Sequence, residues 1–90
     1  MLDNYRIFFS LIIDYALFLE FSDDTILNPD VAVQQLEGIS YQLQLLDIET
    51  KQLFIGYISE WLQENKYKLH KDQIEFLNHF AIHFGLEDVT

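Results

Sequence analysis

Apolar residues recur along this chain every three to four positions, and polar breaks divide the recurrence into four stretches. The first predicts a helix over residues 4–21. At 100° per residue, Tyr5, Phe8, Phe9, Ile12, Tyr15, Ala16 and Leu19 share one broad face, expected to look into the core. Ile13, Leu17 and Phe21 fall on the other side, beside Arg6, Ser10 and Asp14. A helix that is apolar nearly all round is central in its bundle or has a second partner, which makes Ile13, Leu17 and Phe21 a candidate dimer face.

Ser22-Asp23-Asp24-Thr25 reads as an acidic turn, and Asn28-Pro29 opens a second helix over residues 29–45. Asn is a favoured N-cap, and Pro at the first helical position loses no needed donor. Ala32, Val33, Leu36, Ile39, Leu43 and Leu46 point to the core, with Gly38 on the opposite side. Asp47 caps a third helix over 48–65, whose buried arc is Phe54, Ile55, Tyr57, Ile58, Trp61 and Leu62. Lys66 to Lys71 is a short connector. A fourth helix over 72–84 turns Ile74, Phe76, Leu77, Phe80, Ala81 and Phe84 inwards and ends at Gly85, with Glu87 to Thr90 as a polar tail. Alternation at period two is never sustained, so no strand is predicted. Connections of about three to seven residues make sequential helices antiparallel neighbours. The expected architecture is a single all-α domain over residues 1–90, a four-helix bundle or a close variant.

Composition adds to this picture in two ways. Half of the 90 residues are hydrophobic, with eight Phe, five Tyr and one Trp, so the body of the chain has the apolar content for a packed core. Fifteen Asp and Glu against five Lys and Arg give a formal net charge of −10. Phosphate backbones and anionic membrane surfaces need the opposite sign, so no nucleic-acid or membrane partner is expected. An acidic field instead speeds capture of a basic protein, besides keeping the chain soluble. With no cysteine, disulfides and thiolate zinc sites are excluded, and the expected compartment is the cytoplasm. The apolar run from Ile7 to Phe21 is too short to span a membrane and is interrupted by Ser10 and Asp14. Asp3 stands where a signal peptide would carry positive charge.

Candidate chemistry is sparse. Glu75, His79 and His83 follow at i, i+4 and i+8, and two such histidines can share a metal. A metalloprotease base would directly follow His79, where Phe80 stands, and no third His or Cys completes a tetrahedral set. No metal or other cofactor is expected, with His79 and His83 the only weak candidates. Asp23, Asp24 and Asp30 do not make a calcium loop, because a frame begun at Asp23 puts Asn28 where Gly belongs and Gln34 where Glu belongs. Asp14 sits in an apolar helix without a paired base or nucleophile. The chain is therefore not expected to be an enzyme; a metal-dependent enzyme built on His79 and His83 is the least favoured reading.

The outward arc of the second helix is the better candidate site. It carries Asp30, Gln34, Glu37, Tyr41, Gln44 and Leu45, next to Asp23 and Asp24 in the preceding turn. Tyr41 and Leu45 lie one turn apart among acids and amides, the pattern of an aromatic anchor with a polar rim.

The segment Asp14-Tyr-Ala-Leu-Phe-Leu-Glu-Phe-Ser-Asp-Asp24, followed by Asn28-Pro-Asp-Val-Ala-Val-Gln-Gln-Leu-Glu37, sits in a small, acidic, cysteine-free helical chain. In that character the chain resembles immunity proteins of bacterial polymorphic-toxin systems, including those of contact-dependent inhibition and type VI secretion. The resemblance assigns no residue a role. It implies tight binding to a cognate basic toxin domain, often a nuclease, whose cleft the acidic surface would cover. The alternative expectation is a homo-oligomeric helical adaptor or secretion chaperone, acidic only for solubility.

Overall fold

A computed structural model describes residues 4–87, which excludes Asp3 and residues 88–90 of the expected polar tail. Its helices are α1 (Asn4–Phe21), α2 (Pro29–Gln44), α3 (Ile48–Asn65), α4 (Lys71–Asn78) and the single-turn α5 (Phe80–His83), with a 3-10 turn at Lys66–Lys68. No strand occurs among the described residues. The all-α, bundle-like domain expected from the pattern is what forms.

Local chemistry sets the helix ends. The Asn28 side chain accepts from the backbone N–H of Asp30 at 2.8 Å, and Pro29 follows it as the first helical residue. Asp47 accepts from the Thr50 N–H at 2.8 Å and starts α3. Hydrogen bonds from Thr50, first its hydroxyl and then its backbone N–H, hold the Asp47 carboxyl below the usual carboxylate range. A carboxyl lowered in the folded state contributes stability above its unfolded value and loses it as pH falls through the lowered one. Asp47→Asn should keep the cap near neutral pH while flattening the acid limb of Tm against pH, below the ordinary carboxylate value.

The last helix differs from the expected continuous 72–84. His79 breaks it, with φ −104° and ψ 6°. Its backbone N–H is shared between the carbonyls of Glu75 (3.2 Å) and Phe76 (3.3 Å), while its ring Nδ1 lies 3.0 Å from the same Glu75 oxygen. A side chain competing for the carbonyl four residues back bends a helix, and here the bend separates α4 from α5. Beyond it, Phe80 and Phe84 stack with centroids 4.1 Å apart.

Gly85 closes α5 as the pattern predicts. It has φ +72°, with the Leu86 N–H reaching the Ala81 carbonyl at 2.8 Å and the Gly85 N–H reaching Ile82 at 3.2 Å. This turn drops Leu86 into the core. A Cβ at Gly85 would stand 2.6 Å from Cγ of Gln44. Gly85→Ala should therefore cost about 1–2 kcal/mol or more in chemical denaturation, from the left-handed backbone and the clash together.

α1 lies against both α2 and α3, and α3 in turn holds the 3-10 turn and α4. The core is built on Phe9, Ile13 and Ala16 of α1, Phe54, Ile58, Trp61 and Leu62 of α3, and Leu77, Phe80 and Phe84 beyond them. Phe54 is its hub: fully buried, stacked on Phe9 at 4.4 Å and tilted against Phe80 at 5.7 Å. No polar or charged residue is buried among the described residues.

Two placements correct the sequence reading. Ile13, Leu17 and Phe21 are not an outer dimer face. Ile13 is 0% exposed, Leu17 packs on the core, and Phe21 sits at the rim with its ring edge-to-face on Phe76 at 5.6 Å. The buried row of α1 runs through Phe9, Ile13 and Ala16, so the helix is rotated from the face centred on Ile12, and Phe8, Tyr5 and Tyr15 are exposed instead. On α2, Val33 is exposed because it stands about 100° round the helix from buried Ala32.

Candidate partner-binding surface

α2 is 16 residues long, about 24 Å, and the five predicted contact residues on it are exposed, as is Leu45, its C-cap. They form two neighbouring rows. Gln34, Tyr41 and Leu45 run along the outermost line, with Tyr41 64% and Leu45 66% exposed. Asp30, Glu37 and Gln44, seven residues apart, run beside it. Asp23 and Asp24 lie in the turn ahead of α2. Asp23 is not free to grip a ligand with both oxygens, because Oδ1 accepts from the hydroxyl and the N–H of Thr25. Those bonds, hydroxyl first, lower its carboxyl below the usual range. Gln44 is likewise engaged: its amide donates to Ser40 Oγ at 3.0 Å and its stem covers the Gly85 turn.

Glu37, the middle residue of the second row, lines a cleft of about 370 Å³ that the sequence did not disclose. Leu36, Phe76 and Phe84 give it an apolar floor, while Glu20, Glu37, Ser40 and His83 supply polar groups. Glu20 reaches it because it continues the buried row of α1, at i+11, i+7 and i+4 from Phe9, Ile13 and Ala16. An acid on the core row, at the end of a helix, is the signal that could have found the site once the row was known. Such a cleft suits a long basic side chain: the alkyl stem covers the apolar floor and the charged head meets carboxylates.

The charge along the sequence is one-sided. Residues 1–50 hold nine acids and one base, a balance of −8; residues 51–90 hold six acids and four bases, a balance of −2. The one base, Arg6, is tied to α3, 2.8 Å from Glu60 and 3.9 Å from Glu64, with its guanidinium 5.0 Å above the Tyr57 ring.

The remaining candidates are not drawn into a reaction centre. His79 and His83 lie with ring centroids 6.2 Å apart across the α4–α5 break, and only His83 lines the cleft. Among the described residues no three His, Cys, Asp or Glu side chains come together as metal ligands would. Asp14 is exposed on α1, so it lacks the burial that would have marked it as a catalytic acid. No helix among the described residues is long and apolar enough to cross a membrane. Comparison with protein-family models, curated proteins and solved structures finds no match to this chain.

Proposed function

We propose that the chain is a non-enzymatic, protein-binding inhibitor of the immunity or antitoxin type, which neutralises a basic toxin domain by covering it. The observation that carries this reading is the cleft between Glu20 and Glu37. It has an apolar floor and two carboxylates, and both carboxylates come from residues 1–50, where nine acids stand against one base. A Lys or Arg of the partner occupies the cleft, while Tyr41 and Leu45 supply the apolar contacts beside it. Asp30 and Asp24 extend the field that steers the partner in. Binding of this kind uses charge for rate and direction and the aromatic anchor for residence time.

The test is co-expression with the product of the gene adjacent to this one. The two products should co-purify in low salt as a stoichiometric complex. Tyr41→Ala should raise the off-rate roughly tenfold or more, as loss of a hot spot worth about 2 kcal/mol does. An adjacent product that is harmless alone and does not co-purify would remove the inhibitor reading.

A further inference from the structure

One face of α1 is left over once its flanks have packed on α2 and α3. Phe8, Leu11, Tyr15 and Phe18 lie along it, at successive spacings of three, four and three residues, within an arc of about 80°. Phe8 and Leu11 are each 60% exposed, Phe18 48% and Tyr15 43%. Asp14, at the edge of the arc, is the single charge between Ile7 and Leu19.

We propose that this face joins two copies of the chain, α1 lying antiparallel on α1 about a two-fold axis level with Ile13. Three observations select a second copy as the occupant. The first is the spacing, which reads the same in both directions. Reversal brings Phe8 of one copy opposite Phe18 of the other, and Leu11 opposite Tyr15, so the surface is complementary to itself as a two-fold interface requires. The second is area. Four large side chains about half exposed, with Tyr5 and Ile7 at the shoulders, offer on the order of 500 Å² of apolar surface per copy, enough for the core of a small, reversible interface. The third is charge. A basic partner finds one carboxylate on this face, against two, Glu20 and Glu37, at the cleft; two strongly acidic copies approach most easily where charge is scarce. Antiparallel packing also opposes the two helix dipoles. None of the four residues of this face lines the cleft, which α1 enters only through Glu20.

Sedimentation equilibrium of the full chain tests it. The mass should rise from 10.7 kDa towards twice that value between about 1 µM and 1 mM, as expected for a small interface. Leu11→Glu should weaken the association at least tenfold without changing the circular dichroism melt of the dilute, unassociated chain, since Leu11 is exposed in the single copy. Tyr41→Glu, on α2, should leave it unchanged. Because the chain has no cysteine, single substitutions report the pairing directly. A mixture of Phe8→Cys and Phe18→Cys proteins should form the mixed disulfide faster than either forms its own. A chain that stays at 10.7 kDa near 1 mM, an association indifferent to Leu11→Glu, or faster crosslinking of Phe8→Cys to itself would each overturn the proposal.

Discussion

Replacing Phe54 by Ala should lower the unfolding free energy by about 3–5 kcal/mol, as large-to-small changes at closed core sites do. Phe54 has no exposed surface, stacks on Phe9 and leans on Phe80, so its ring joins α1, α3 and α5. Those neighbours are themselves aromatic and held by further rings, which limits how far the site can collapse into the space left behind. Against a total of about 5–15 kcal/mol for a domain, the loss should be plain in urea unfolding. The rotation of α1 makes a paired prediction. Ile13→Ala should cost about 2–5 kcal/mol, and Phe8→Ala should stay within about 0.5 kcal/mol when measured in dilute solution. The reverse order would return α1 to the face centred on Ile12.

Reversing both cleft carboxylates, Glu20→Lys with Glu37→Lys, should abolish partner capture under conditions where the parent chain binds. Both side chains are exposed, so the melt should not move by more than a few degrees. The substitution changes the local charge by four units and puts two ammonium groups where the proposed partner's cation would sit. The on-rate should fall by about tenfold or more at low salt, and its dependence on salt should flatten, since screening no longer has an attraction to weaken. Glu20→Gln with Glu37→Gln should give an intermediate rate. Equal association by all three proteins would show that the cleft does not take part.

The elements were legible in the sequence because each helix end carries its own chemistry: Asn28-Pro29, Asp47 and Gly85 all act as their residue types require. The buried arc of α3 was also readable, since Gln52, Glu49, Gln63 and Glu60 mark its wet side. α1 offered no such contrast. With apolar residues in nearly every direction, the pattern fixes a helix without fixing its rotation, and Ile13 was consequently placed outside. That same ambiguity hid Glu20, whose position matters only once the row of Phe9, Ile13 and Ala16 is known to be the buried one. The bend at His79 depends on a side chain competing for the Glu75 carbonyl, which periodicity does not encode. The exposed rows of α2 were visible from spacing alone, but the cleft beside them is made by α1, α4 and α5 and exists only in three dimensions.

The central claim is stoichiometric binding without turnover, and the most direct measurement is a titration of the partner's toxic activity with this chain. The proposed partner, the product of the adjacent gene, is held at a concentration well above the dissociation constant. Activity should fall linearly and reach zero at one equivalent of the chain, and longer incubation with less should remove no more. Complete loss at a small fraction of an equivalent would show a catalytic action, and undiminished activity beyond one equivalent would show that this chain is not its inhibitor.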